Sequence, residues 1–305
     1  MDSSVESSPS KRERSVMLSL LALARPKQWI KNALVFAAPL SAGVILQPTV
    51  LVWTLITFAS FCLAASAVYM TNDVLDVEKD RNHPKKRYRP VASGKVKAKS
   101  AIVSAAFCAI LSLILPTLFV RVEVSLVILA YLCLQAAYVW KLKEEPVIDV
   151  AVIAGGFLLR AVAGGVAANV EISNAFFVVI GFGTFFMAVG KRYSEIMTID
   201  QDSTATRATL NKYTPGYLRI LLAISATVSL VGYILWAFEI QAASDTYVPF
   251  ATLSIIPVTL VLMRYAKDAE SADAEAPEDA IFADRWLFAL GLAWLALFAA
   301  QVLQR

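Results

Sequence analysis

Tyr69-Met70-Thr71-Asn72-Asp73-Val74-Leu75-Asp76-Val77-Glu78-Lys79-Asp80 closes a run, residues 50–71, in which no side chain carries a charge. On an α-helix advancing about 100° per residue, Asn72, Asp76 and Asp80 fall at roughly 0°, 40° and 80°, with Tyr69 near 60° and Asp73 near 100°. The spacing predicts one acidic face at the end of an apolar helix. Like charges four residues apart repel, and carboxylates beside lipid are costly unless they face a polar cavity or hold a cation. A merely solvated helix end would scatter its acids, whereas these are in register. An all-oxygen donor set suits Mg²⁺, which keeps several waters and completes its shell with substrate phosphates. Asn72, Asp73, Asp76 and Asp80 are the candidate metal ligands, and the three aspartates the candidate catalytic acids.

The rest of the chain shares the apolar character of residues 50–71. Of 305 residues 58% are hydrophobic and 17% charged, with a mean hydropathy of +0.63, against about 25% charged in an ordinary soluble domain. These values exclude a soluble enzyme, a disordered chain and a disulfide-stapled secreted domain. At about 20 residues per crossing, spans are expected near 29–47, 50–71, 99–119, 123–140, 148–168, 173–190, 216–240, 247–265 and 283–302. The fold class expected is all-α and integral to the membrane, with nine helices. Residues 1–28 form a tail and an interfacial helix, and residues 29–305 one catalytic domain with long polar loops at 72–98, 191–215 and 266–282.

Those three loops follow even-numbered spans and share a face with most of the basic residues, Lys85, Lys86, Arg87, Lys141, Lys143 and Lys212 among them. Only Arg121 and Arg305 fall opposite. The positive-inside rule makes the basic face cytoplasmic, puts the N-terminus inside and the C-terminus outside, and places the protein in the cell membrane. Lys11-Arg12-Glu13-Arg14 before an apolar run resembles a signal peptide. Cleavage would strand Arg25, Lys27 and Lys31 outside, so an interfacial helix is the better reading. The acidic stretch 268–279 reads as a solvated loop. Cys62, Cys108 and Cys133 lie in apolar runs and read as buried packing residues. With a single histidine, His83, a His-rich metal site is excluded.

After the acidic face come His83-Pro84-Lys85-Lys86-Arg87-Tyr88-Arg89-Pro90 and Ser93-Gly94. Pro84 ends the helix, so these bases can fold back toward the acids. A metal-bridged phosphate flanked by Lys and Arg is a common cradle for a diphosphate leaving group. A basic loop at a membrane otherwise serves topology or anionic lipid. Arg160 is the one charge deep in a span, and either meets a lipid phosphate or pairs with a polar cavity residue. Gly155-Gly156 and Gly164-Gly165 around it permit close helix packing. Phe176, Phe177, Phe182, Phe185 and Phe186 either contact lipid or line a groove for its tail.

Asn72-Asp73-x-x-Asp76-x-x-x-Asp80, Arg89-Pro90 and Ser93-Gly94 in a chain of nine spans resemble the UbiA-type intramembrane prenyltransferase superfamily over nearly the whole length. The resemblance implies helices around a central cavity open sideways to lipid, with diphosphate-bound Mg²⁺ at its cytoplasmic mouth. Members that use prenyl diphosphates carry a second Asp-x-x-x-Asp after the sixth span, where this chain reads Gly190-Lys191-Arg192-Tyr193-Ser194-Glu195. With Arg25-Pro26-Lys27-Gln28-Trp29-Ile30-Lys31-Asn32, this is similar to the branch in which phosphoribosyl diphosphate is the donor and decaprenyl phosphate, or a similar polyprenyl phosphate, the acceptor, feeding cell-wall arabinan.

That resemblance assigns donor contacts to Lys31, Tyr69, His83, Lys86, Arg87, Lys191 and Arg192, beside Arg89, and metal binding to Asn72 and Asp76 with Asp73 and Asp80 in support. Glu195 either holds a second Mg²⁺ or pairs with Lys191. A donor with a 5-phosphate and an acceptor with its own phosphate carry more negative charge than a prenyl diphosphate and a neutral aromatic, which favours more Lys and Arg and fewer acids. The rival enzyme reading moves a prenyl group onto an aromatic acceptor. The rival without catalysis is a transporter or lipid-binding protein, against which no inverted repeat is visible. Beyond these substrates the expected surroundings are membrane lipid, with no nucleic-acid partner and a homo-oligomer left open.

Overall fold

The computed structural model describes residues 19–198, 210–244, 247–270 and 284–304, and within them the chain is helical with no strand. Eight helices are long and apolar enough to cross a membrane: α1 Pro48–Leu75, α2 Ala98–Phe119, α3 Val122–Trp140, α4 Ile148–Ala168, α5 Asn174–Thr198, α6 Pro215–Ala242, α7 Ile255–Glu270 with the short turn Phe250–Leu253 before it, and α8 Arg285–Leu303. The chain is thus an integral membrane protein of the all-α class. Nine spans were expected, and the difference lies in 29–47. There Pro26–Phe36 forms a 3₁₀ run and Ala37–Ser41 a short α-helical turn. The steeper 3₁₀ rise lets these residues reach about 30 Å, the thickness of the hydrocarbon core. Arg25 at one end pairs with Asp73 in the last turn of α1, and Gly43 at the other lies beside Val302 in the last turn of α8.

Local signals account for the helix starts. Pro48 opens α1 after an extended Gln47, where its missing N–H costs nothing. Thr214 caps α6 by accepting from the Tyr217 amide at 3.2 Å, with Pro215 next to it. Asp284 caps α8 by accepting from Trp286 at 2.7 Å. Three helices outrun their expected ends, α1 to Leu75, α5 to Thr198 and α7 to Glu270. The extension of α5 matters most, because it places Lys191, Arg192 and Glu195 on a helix rather than in a loop. Residues 1–18 and 271–283, which hold the basic N-terminal stretch and most of the acidic one, lie outside the described residues.

The bundle is asymmetric. Just over half of the apolar window of α1 and of α4 is buried, 56% each, against 11% for α8 and 17% for α2. The middle of the bundle is therefore α1 and α4, held to the N-terminal segment and α3 through Val35, Phe61, Ala64, Val124, Ile128, Tyr131 and Ala163. A second core joins α4 to α7 and the start of α8 through Val150, Phe186, Tyr193, Leu218, Tyr265 and Leu287. Residues 23 and 24 of the interfacial segment pack on Met70, Val91 and Val96. Two expectations are corrected by position: Cys133 is exposed on the outside of α3 rather than buried, and Phe176 and Phe186 are core residues while Phe177 and Phe182 face outward.

Gly164 shows how close that packing is. A Cβ at this position would overlap the carbonyl of Val35, a backbone atom that cannot rotate away. Gly164→Ala is expected to destabilise the protein by about 1–3 kcal/mol, the usual cost of overpacking. Thermal unfolding in detergent checks this, with Gly181→Ala, where nothing lies within 4 Å, as the neutral control.

Candidate functional site

The acidic end of α1 departs from a regular helix at Asp76, whose φ of −94° and ψ of 9° separate Leu75 from the five-residue helix Val77–Arg81. The amides of Asp76 and Asp80 still bond the carbonyls four residues back, so the register survives while the side chains diverge. Asp73, 2% exposed, is paired with Arg25 and with Arg89 at 3.1 Å. Asp80 takes the same Arg89 nitrogen at 2.7 Å. Asp76 is half-buried and turns to Lys143 of the α3–α4 loop, Nζ to Oδ1 3.8 Å. The single acidic face expected over 72–80 is thus divided, because Arg89 folds back as the loop sequence suggested and claims two of its three aspartates.

This division bears on metal binding. Among the described residues no three His, Cys, Asp or Glu side chains converge on one point. Asp73 and Asp80 are committed to guanidinium groups. Asn72 and Asp76, both partly exposed one turn apart, form the oxygen pair that is left. Two protein oxygens, with water and substrate phosphate, make the donor set that Mg²⁺ takes in phosphate-binding sites. The residues fit a smaller metal site than the four-residue set expected.

Other predicted contacts surround this pair unevenly. Tyr69 lies one turn inward from Asp73 and carries the Arg25 guanidinium 4.9 Å above its ring. Lys31 is half-buried in the 3₁₀ run. Lys86 and Arg87 are exposed on the loop, where Arg87 bonds the Tyr88 hydroxyl at 2.8 Å. The His83 ring nitrogen Nδ1 accepts from the amides of Lys85 and Lys86 at 3.2 and 3.3 Å. Partial burial and then the charge of Lys86 hold the His83 pKa below its ordinary value, with Lys85 and Arg89 adding to this and Asp80 opposing it.

On α5 the outcome differs from expectation. Arg192, 1% exposed, points into the bundle and not at the rim. Its Nε donates to Asp149 Oδ2 at 2.9 Å and one terminal nitrogen to Glu195 Oε2 at 2.7 Å, while the other has no hydrogen-bond partner among the described residues. Glu195 therefore pairs with Arg192, a partner that neither expected role named. Asp149 also accepts from the Tyr213 hydroxyl at 2.7 Å. Burial first, and the Asp149 carboxylate second, push the Tyr213 phenol above its ordinary range, so it remains a proton donor.

Arg160 is buried and makes no ion pair among the described residues. It donates to Asn32 Oδ1 at 2.7 Å, the Gly156 carbonyl at 2.7 Å and the Tyr131 hydroxyl at 3.2 Å. Its guanidinium lies over the rings of Tyr131, Phe157 and Phe61. Asn32, Tyr131, Lys143, Asp149 and Tyr213 are the residues that sequence reasoning missed as site members. Only Asp149, an isolated carboxylate at the start of an apolar helix, gave a signal, and its partner proved to be Arg192.

A family model described as the UbiA prenyltransferase family matches residues 33–290. The chain is 42% identical over 274 residues to a decaprenyl-phosphate phosphoribosyltransferase of Corynebacterium glutamicum, covering 89% of this chain and 82% of that one. It is 39% identical over 299 residues to the protein of the same name in Mycolicibacterium smegmatis, covering 95% and 94%. In fold it is similar to a UbiA homolog from Archaeoglobus fulgidus bound to DMAPP and Mg²⁺, with a TM-score of 0.72, 17% identity, and 93% and 97% of the two chains covered.

As the sole histidine, His83 reports the electrostatics of this rim directly. In labelled protein its imidazole is expected to titrate below the ordinary histidine value and to rise when inorganic diphosphate screens the neighbouring cations; a titration indifferent to diphosphate would remove the basic loop from the anion site. Because the folded pKa is the lower one, the unfolded chain binds the proton more readily, and this residue's stability contribution falls as pH drops from the ordinary value through the folded one.

Proposed function

We propose that this chain, which belongs to the UbiA prenyltransferase family, transfers the 5-phosphoribosyl group of phosphoribosyl diphosphate to decaprenyl phosphate or a similar polyprenyl phosphate, releasing diphosphate. The observation that carries this reading is the fate of Glu195. The acid on α5 that resembles a second metal ligand is bound to Arg192, so among the described residues the rim offers one oxygen pair for metal and is otherwise rich in cations. That balance suits a donor with a diphosphate and a further phosphate. The identity of 39–42% with phosphoribosyltransferases over most of both chains supports the same reading.

Asn72 and Asp76 would hold Mg²⁺, which when bound neutralises charge on the diphosphate. The chain's own cations do the rest. Lys31, His83, Lys86, Arg87 and Lys191 surround the phosphates, and Tyr69 closes the site toward the bundle. Arg89 holds Asp73 and Asp80 out of the metal's reach and keeps the α1 end rigid, a role different from direct substrate contact. Arg192 positions Asp149 and Glu195 instead of touching the donor. Arg160, a positive charge with no carboxylate beside it, faces the acceptor side and favours an anionic lipid headgroup.

In the reaction the bond from ribose C1 to the diphosphate oxygen breaks, and a phosphate oxygen of the lipid forms the new bond to C1 from the opposite side, with inversion. A phosphate monoester has its second pKa near 6, so the nucleophile is ionised at neutral pH. No general base is needed, in keeping with a site whose single imidazole lies in a basic loop. Catalysis comes from positioning and electrostatic stabilisation of the leaving group. The basic rim is the cytoplasmic one, the C-terminus lies outside, and the product supplies lipid-linked pentose for cell-wall arabinan.

Washed membranes given labelled phosphoribosyl diphosphate and polyprenyl phosphate should form a labelled lipid of the expected mass. Asp76→Asn and chelation of Mg²⁺ should each lower that transfer by at least a hundredfold, about 2.7 kcal/mol of transition-state stabilisation. Turnover of farnesyl diphosphate with hydroxybenzoate in its place would transfer the assignment to the aromatic branch.

A further inference from the structure

Val147 opens α4 with a φ of 68° and a ψ of −45°. For a β-branched residue this backbone is strained, and such strain persists only where the surroundings enforce it. The enforcing group is the Tyr213 hydroxyl. The Val147 amide donates to the Tyr213 hydroxyl at 2.6 Å, and that hydroxyl donates onward to Asp149 at 2.7 Å, itself bound to Arg192. One residue before Tyr213, Lys212 donates through Nζ to the carbonyl of Glu144 at 2.8 Å. Residues 212 and 213 therefore clamp both ends of a short loop, 144–147. The residue just ahead of it, Lys143, is the one that reaches Asp76 at 3.8 Å.

We propose that Tyr213 is a positioning residue for the donor site: by holding the strained turn at Val147 it fixes the α3–α4 loop so that Lys143 stands beside Asp76, where the donor's diphosphate binds. The inference rests on the function proposed above for its ligand, but the loop restraint itself does not. Tyr213 touches no substrate. It acts through Val147 and Lys143: its hydroxyl ties the turn to the Asp149 side chain, beside the bond from the Asp149 amide to the Glu145 carbonyl at 3.0 Å.

Tyr213→Phe removes one oxygen and leaves the ring, which stacks on Tyr217, in place. The variant should raise the KM for phosphoribosyl diphosphate about tenfold, the effect of one unsatisfied buried group, while the KM for lipid phosphate stays constant. In a Lys143→Met background the same change should add nothing, since both act through one contact. Adding Val147→Gly, which adopts the turn without strain, should return the donor KM of Tyr213→Phe toward that of the parent. Independently of turnover, trypsin should cut after Lys141 several times faster in Tyr213→Phe. An unchanged donor KM with unchanged cleavage overturns the proposal, as does full additivity with Lys143→Met, or a parallel rise in both KM values with a lower Tm, which would mark a merely structural role. If the parent chain transfers no ribose phosphate, the proposed function fails, and the cleavage rates alone then decide whether Tyr213 restrains the loop.

Discussion

A carboxylate at the edge of a hydrocarbon slab must find a partner, and in this protein Asp73 imposes that condition on everything near it. At 2% exposure it lies where an unpaired charge costs several kcal/mol, and removal of one partner from such a pair typically costs about 3–5 kcal/mol. Its partners come from opposite directions in the chain. Arg25 arrives from the N-terminal segment, in a left-handed conformation with φ of 53°, and Arg89 from the loop beyond α1. Satisfying one carboxylate therefore joins two segments that already share the apolar contact of residues 23 and 24 with Val91 and Val96. Asp80, bound to the same Arg89, extends the restraint to the short helix Val77–Arg81.

Much of this was legible from residue order. An apolar run ending in registered acids followed by bases placed the site at one end of α1, and the return of Arg89 toward the acids was expected from Pro84. The expected spans lie close to the eight long helices because hydrophobic length is a strong, local signal. What could not be read was which acid meets which base. Angular position on an ideal helix put Asn72, Asp76 and Asp80 on one face, but the distortion at Asp76 and the reach of Arg89 are tertiary effects that sort Asp73 and Asp80 into one group and leave Asp76 to Lys143. The 3₁₀ form of Pro26–Phe36 was illegible for a related reason. The expected span 29–47 is apolar overall, and only the close approach of Val35 to Gly164 shows how tightly the 3₁₀ run lies against α4.

The rim has two halves with different physical character. Around α1 Asn72 and Asp76 are partly exposed, while Asp73 and Asp80 are buried and held by Arg89. Around α4 and α5 the polar groups form a continuous chain, Tyr213 to Asp149 to Arg192 to Glu195, of which the first three are buried. Buried networks of this kind are rigid when satisfied, and this one is satisfied apart from a single guanidinium nitrogen. The α3–α4 loop spans the gap, with Lys143 on one half and Val147 on the other.

Arg160 completes the electrostatic account from below. A guanidinium inside a bundle is normally matched by an acid, yet its three hydrogen-bond acceptors are all neutral, and the aromatic faces of Tyr131, Phe157 and Phe61 spread its charge without cancelling it. Asp149, the acid on the same helix, is already committed to Arg192. The interior consequently keeps a net positive charge beneath a rim that is itself basic. A neutral aromatic acceptor gains nothing from such a field, whereas an acceptor that brings its own phosphate relieves it. An anionic acceptor would thus match the charge that the described residues leave uncompensated at Arg160, which supports the proposed substrate class independently of the metal pair proposed at Asn72 and Asp76.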